Sequence, residues 1–275
     1  MSLHFIFTVD GDWKAYFNRN LSEEKRKPNE NTLANLIERE IHLAKSLLNG
    51  RFIHFVHASP RAKEYFSKPQ FITLWKQIEQ NGGNIGVHCH EEDPYLKYYY
   101  NQADRMRKAI TDLAQGLKSN GLSPKSYRGG FMTFSPKLIP ILEENEIFID
   151  FSCEPGRYLM HGDKLVSDWR NAPTNYYRLN YKDHRRSGDS KVFEIPVGSA
   201  NGNFLNFEKS SLWKIWQIAR NLKKQATENI VVSVLAHTYE FSQPLKLLKI
   251  KLGLLILRIY GKFINVAEAR EVIGN

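Results

Sequence analysis

Cysteine is nearly absent: the chain has two in 275 residues, Cys89 and Cys153, too few for a disulfide framework at this size, so both are read as reduced thiols. Long apolar runs are missing as well. The longest near the C-terminus covers residues 252–257 with Gly253 inside it, far short of the roughly 20 residues that span a bilayer. The opening Met1-Ser2-Leu3-His4 has no basic start, apolar stretch or small-residue cleavage site of a secretory signal. A cytoplasmic location is therefore expected, without stable membrane insertion. No Pro/Gly/Ser-rich linker, low-complexity run or solenoid-period repeat divides the sequence, so one domain over residues 1–275 is expected. Acidic residues are in deficit, 29 against 39 basic ones, for a formal charge of +10. The basic residues are scattered, and zinc-finger spacing, an aromatic RNA-binding signature and a helix-turn-helix pattern are all lacking. A solvated basic surface is favoured over a nucleic-acid footprint.

What is present is a hydrophobic fraction of 42% of the chain, with aromatic residues making up 12% of the chain, which suffices for a large core. It is arranged as apolar strands that end in polar residues. The chain opens with Phe5-Ile6-Phe7-Thr8-Val9-Asp10-Gly11-Asp12, and Ile85-Gly86-Val87-His88-Cys89-His90, Tyr127-Arg128-Gly129-Gly130, Ile149-Asp150-Phe151-Ser152 and Val234-Leu235-Ala236-His237 repeat the pattern. Helical spacing between them predicts helices over 31–49, 69–80, 94–119, 209–227 and 244–260, a short one after Ser135-Pro136, and strands over 51–58 and 192–197. Strand and helix alternate, so an α/β fold with parallel pairing follows. Residues 154–191 have no strong period and read as an elaborated loop over a site. In the last helix Leu245, Leu248, Leu252, Leu255 and Ile259 fall on one stripe, with Lys246, Lys249 and Arg258 elsewhere, and packing of that stripe on the core is favoured over contact of a basic amphipathic helix with a membrane surface.

Residues i and i+2 of an extended segment point the same way, so Asp10 and Asp12 share a side at a strand end, as do His88 and His90. Imidazole and carboxylate together are the donors of a zinc-type ion. If the chain instead turns helically after His88, Glu92 at i+4 takes the place of His90, and the sequence leaves that choice open. One aspartate would bind the ion and the other act as base, with His237 protonating the leaving group. The lone histidines His54 and His57 are assigned to the core.

These ordered segments, Thr8-Val9-Asp10-Gly11-Asp12, Ile85-Gly86-Val87-His88, Tyr127-Arg128-Gly129-Gly130-Phe131 with Ser135-Pro136, Asp150-Phe151-Ser152, Glu194-Ile195-Pro196-Val197 and Leu235-Ala236-His237, resemble the motifs of the polysaccharide deacetylase family, the NodB-homology carbohydrate esterases. The resemblance covers nearly the whole chain. It implies a distorted (β/α) barrel of about seven parallel strands and a divalent metal, zinc first, with cobalt, nickel or manganese as alternatives, that removes an acetyl group from an N-acylated sugar or glycan precursor. It also implies Asp10 as base, Asp12 and His88 as metal ligands, Arg128 as the residue that orients the base, and His237 as acid. The backbone at Gly129 and Gly130 would help hold the oxyanion. Two departures stand out. Glu92 occupies the place of the family's second metal histidine, with His90 offered instead, and Gly129-Gly130 replaces the usual proline after the arginine. Trp13 and Trp169 are candidate sugar-stacking platforms, while Asp150 and Ser152 are expected to support the site wall. The alternatives are a deformylase or cyclic-amide hydrolase on the same scaffold, or a catalytically silent glycan- or protein-binding barrel.

Overall fold

The computed structural model describes residues 2–18, 20–59, 65–90 and 102–274. Seven parallel strands form the main path of its curled sheet, β1 (Leu3–Asp10), β2 (Ile53–Ala58), β3 (Asn84–Cys89), β4 (Ser126–Gly129), β5 (Ile149–Asp150), β6 (Phe193–Glu194) and β7 (Ile230–His237), and the short strand Lys262–Phe263 also pairs parallel with β1. Their spatial order is β7-β1-β2-β3-β4-β5-β6, with Tyr177–Arg178 added antiparallel on the edge of β6. The chain beyond β6 then reaches β7, where Val197 bridges Ser233 and the Ser233 N–H donates to the Pro196 carbonyl at 2.8 Å. That bridge and a second, between Asn206 and Leu235, bring the two sides of the sheet together, and the barrel is distorted because isolated bridges rather than a continuous ladder join them.

Period-2 alternation sorts the apolar residues into two cores. Phe5, Phe7, Val9, Ile85, Val87 and Tyr127 point outward and pack under the helices. Ile6, Ile53, Phe55, Ile149, Phe151, Ile195 and Val231 point inward and fill the barrel. Its lower end is closed by Ile264, Val266 and Ala269, the last two from the C-terminal helix at Val266–Ile273. A capping box starts that helix, Asn265 and Glu268 each accepting the other's backbone N–H. Glu268 also takes a two-pronged hydrogen bond from Arg51, just ahead of β2, which pins the plug to the sheet.

The connecting helices are α1 (Glu30–Leu48), α2 (Pro69–Gln80), α3 (Ala103–Ser119), α4 (Ile139–Glu144), α5 (Leu212–Gln225) and α6 (Pro244–Tyr260). The Asn29 side chain caps α1 by accepting from the Thr32 N–H at 3.0 Å, and Asn49 ends it in the left-handed region at φ 51°. Expected and observed elements agree closely, α2 to the residue, whereas the start of the helix expected over 94–119 falls partly outside the described residues. The stretch 154–191 contains a β-hairpin, Tyr158–His161 against Lys164–Asp168, and the edge strand Tyr177–Arg178. No helix among the described residues is long and apolar enough to cross a membrane.

One expectation is overturned. In α6 the buried residues are Ile250, Gly253, Leu254 and Leu257, while the stripe Leu245, Leu248, Leu252, Leu255 and Ile259 is exposed. The opposite face of the helix packs because Gly253 lets it approach Phe207 and Ile215.

Burial separates the two kinds of apolar residue in a denaturation experiment. Ile195→Ala, inside the barrel at 0% exposure, should cost roughly 2–5 kcal/mol in urea unfolding, whereas Leu245→Ala should stay within about 0.5 kcal/mol. Similar losses at both positions would contradict the assignment of the barrel interior.

Candidate active site

In-register parallel pairing assembles the site at the C-terminal ends of the strands. Asp10 of β1 lies opposite His237 of β7, His57 of β2 opposite His88 of β3, and His88 opposite Arg128 of β4. All share the inward parity, so their side chains converge over the barrel interior. Asp12 follows through Gly11, whose N–H donates to the Phe55 carbonyl at 2.9 Å. A Cβ on Gly11 would lie 2.7 Å from that oxygen and 2.9 Å from His54 Nε2, so the Asp-Gly-Asp spacing is fixed by contact with β2.

Asp12 Oδ1 stands 3.6 Å from His88 Nε2 and 3.5 Å from His90 Nε2, and the two imidazole nitrogens are 2.9 Å apart. Tetrahedral ligands about 2.1 Å from an ion stand roughly 3.4 Å from one another, so this triangle has the dimensions of three corners of a zinc-type site. His88 Nδ1 lies 2.9 Å from the Arg128 carbonyl, which accepts a hydrogen bond from Nδ1–H and leaves the Nε2 lone pair free to bind a metal. His57 Nδ1 is 2.6 Å from Asp12 Oδ1, and its ring stacks on that of His90 at 4.8 Å and 8°. One imidazole thus braces both the carboxylate and a histidine of the triangle.

The electrostatics suit a cation. Burial alone would raise the Asp12 pKa, but His90, His88 and the bond from His57 outweigh it and hold the carboxyl well below its usual range. Burial depresses His57 and His90 despite the adjacent Asp12. Burial also works against charging His88, yet Asp10, Asp12 and the Arg128 carbonyl raise it above its usual value. An ionised carboxylate with His57 and His90 held neutral is donor chemistry for a divalent ion, which would displace the proton that Asp10 and Asp12 favour on His88. Asp12, His57, His88 and His90 together form one buried candidate cluster, and Asp10, Asp12 and His237 an overlapping one.

Arg128 is fully buried and donates to Asp10 Oδ1 at 2.7 Å and to the Phe151 carbonyl at 3.0 Å. Its guanidinium carbon sits 4.7 Å from the centre of the Phe55 ring, a position that holds the Asp10 carboxylate in one orientation. On the other side, the His237 backbone N–H donates to Glu240 Oε2 at 2.9 Å, and its Nδ1 is 3.4 Å from the same oxygen. Burial disfavours a charged His237, but Glu240 and the carboxylates of Asp10 and Asp12 outweigh it, lifting the pKa to about 9. Asp10, Asp12, His88, His90 and His237 open into a cleft of about 580 Å³ that is also lined by Lys14, Arg157, Lys209 and Lys246.

The structure brings Asp10, Asp12, His88, His90, Arg128 and His237 together, while Glu92 lies outside the described residues. His57, assigned to the core from sequence, belongs to the cluster, whereas His54 lies on the outer face with Glu40 at 2.6 Å and Trp75 stacked at 4.8 Å. Two further corrections concern the tryptophans. Trp13 is 6% exposed, donates to the Arg26 carbonyl and packs on His57 at 4.6 Å. Trp169 is wholly buried and donates to the Met132 carbonyl at 2.7 Å. Neither lines the cleft, so neither offers a platform to a sugar. Gly129 does line it, but its N–H donates to Ser152 Oγ at 2.9 Å and is taken from the oxyanion role. Gly130 acts sterically, since a Cβ there would lie 2.5 Å from His90 Nδ1. Asp150 and Ser152 buttress this wall, with Ser152 Oγ donating to Asp150 Oδ1 at 2.7 Å.

No protein-family model and no curated protein sequence matches the chain. Solved structures do. A protein assigned as a polysaccharide deacetylase from Mycobacterium smegmatis matches with TM-score 0.61 over 98% of this chain and 89% of its own, at 14% identity. A second so assigned, from Pseudomonas aeruginosa PAO1, gives 0.59 over 98% and 90%, at 10% identity. Puue allantoinase gives 0.59 over 98% and 89%, at 12% identity. At these identities the likeness is one of fold: the chain has the (β/α) barrel of the polysaccharide deacetylases.

Zinc titration reads the bracing role of His57. His57→Ala should weaken zinc binding by about 10–100-fold with the fold retained by circular dichroism, and an unchanged affinity would remove His57 from the site.

Proposed function

We propose that the chain is a metal-dependent hydrolase that removes an N-acyl group, N-acetyl first, from a sugar or glycan precursor. The observation that carries this reading is the Asp12–His88–His90 triangle, with Asp10 fixed by Arg128 on one side and His237 on the other, all opening on one cleft. An ion held by Asp12, His88 and His90 would polarise the scissile carbonyl and acidify a water molecule, and zinc is favoured by a set of one carboxylate and two imidazoles. Asp10, kept in a single orientation by the guanidinium, takes the proton from the attacking water as the new C–O bond forms. Glu240, Asp10 and Asp12 raise the His237 pKa to about 9 in the metal-free protein, which favours a proton on the ring at neutral pH. It gives that proton to the departing nitrogen as the C–N bond breaks, leaving a carboxylic acid and a free amine. Lys14 and Lys246 at the cleft favour a substrate with a phosphate near the sugar, as in nucleotide-linked or lipid-linked intermediates of surface-polysaccharide assembly.

A cyclic-amide hydrolase is the second reading, supported by the fold shared with Puue allantoinase. A deformylase and a silent binding barrel remain distinct from both by product and metal content. Acetate release should appear from N-acetylated nucleotide-linked or lipid-linked sugars with zinc, cobalt, nickel or manganese, and Asp10→Asn should lower kcat/KM by roughly 100- to 10,000-fold. Background rates on sugars, with ring opening of cyclic amides in the same panel, would favour the second reading. No stoichiometric divalent metal, with glycan binding indifferent to Asp12→Ala, would favour the silent barrel.

The acid role has its own check. In metal-free protein, nitrogen NMR of the His237 ring should titrate at about 9. Glu240→Gln removes the carboxylate that favours the charged ring, so the midpoint should move down towards the usual histidine value near 6.5. Since the acid must be protonated, proton donation by His237 weakens as pH rises through its pKa. A midpoint unmoved by Glu240→Gln would separate Glu240 from the acid.

A further inference from the structure

Helix α6 is apolar on two opposite faces. Ile250, Leu254 and Leu257 face the protein, while Leu245, Leu248, Leu252, Leu255 and Ile259 recur at alternating intervals of three and four on the solvent side, at 82, 51, 40, 43 and 77% exposure. A helix apolar all round is normally enclosed on every side, and a contiguous exposed stripe of this kind marks a surface made for a partner. The stripe runs about 21 Å at 1.5 Å per residue. At 100° per residue, Lys249 flanks it on one side and Lys251 and Arg258 on the other, and the helix contains no Asp or Glu.

We infer that α6 docks the protein on an anionic lipid bilayer, lying in the interface with its leucine stripe below the headgroups and its flanking cations among the phosphates. An apolar strip edged by Lys and Arg on both sides is the pattern of an interfacial helix, in which long basic side chains reach up to the headgroups. The charges also argue against a second copy of the chain. A helix pair zipped along this stripe would set Lys249, Lys251 and Arg258 against the same cations of the partner, where paired helices carry complementary charges. An anionic surface instead attracts every one of them. Gln243 and Lys246, at the start of the same helix, line the cleft, so docking along the stripe sets the distance between the cleft and the membrane surface. The inference stands apart from the reaction proposed above.

The test is sedimentation of the full chain with vesicles of phosphatidylcholine and phosphatidylglycerol at 3:1, and with phosphatidylcholine alone. Binding should appear with the anionic vesicles, weaken with added salt, and be at least about tenfold weaker on neutral ones. The triple variant Leu248→Gln, Leu252→Gln, Leu255→Gln should lose at least about tenfold in vesicle affinity while keeping its melting temperature, since all three residues are exposed. Lys251→Glu with Arg258→Glu should weaken binding to the anionic vesicles without changing the fold. Failure of the wild type to sediment with anionic vesicles overturns the inference, whether the protein is monomeric or a dimer that the triple variant dissociates. Equal binding to neutral vesicles overturns the role given to the cations.

Discussion

The site depends on the pairing of Arg128 with Asp10 inside the barrel, 2.7 Å apart and both shielded from solvent. A guanidinium does not lose its proton in a protein, and an unpaired charge at this depth is strongly unfavourable. Arg128 therefore commits Asp10 as its counter-ion, and with it the orientation of the carboxylate. The second carboxylate, Asp12, is then left without a permanent cation. Around it stand three imidazoles, His57, His88 and His90, each able to present a lone pair or hold a proton. The barrel's fixed charges thus sum to one negative among Asp10, Asp12 and Arg128, and the shortfall falls where the histidines converge.

That convergence was legible in the sequence to the extent that period and order determine it. Alternation in 5–12 and 84–90 gives the shared side of Asp10 with Asp12 and of His88 with His90, and the succession of strands gives parallel neighbours. Register does the rest, aligning Asp10 with His237 and His88 with both His57 and Arg128. Spacing alone could not identify His57. It states that His54 and His57 lie on opposite faces of one strand, not which face looks into the barrel, and in a sheet buried on both sides the flanking residues are equally apolar. The pairing of His57 with His88 in the adjacent strand is the signal that separates them.

The same ambiguity explains the tryptophans and α6. Trp13 follows Asp12 and Trp169 lies in the long insertion, but an indole with a hydrogen-bond partner is as well suited to burial as to a binding surface, and each has found a backbone carbonyl. In α6, helical periodicity describes two apolar faces, and the longer stripe of leucines was the natural choice for the core. Packing selected the other, because Gly253 and its neighbours allow close approach to Phe207 and Ile215 and a run of leucines at that surface would not.

The two departures from the usual family pattern are one adjustment. With the second histidine at i+2 from His88, the His90 ring lies against the turn after Arg128, where a side chain on residue 130 would begin 2.5 Å from Nδ1. Only glycine admits that ring. The next two residues, Phe131 and Met132, have φ of 55° and 59°, a costly conformation for L side chains unless the surroundings enforce it. Trp169 supplies part of that enforcement through its bond to the Met132 carbonyl, which links the long insertion of residues 154–191 to the position of a candidate ligand. A proline-bearing turn would have neither the vacancy above residue 130 nor the freedom to form this bend, so the relocated histidine, the glycine pair and the buried tryptophan stand or fall together.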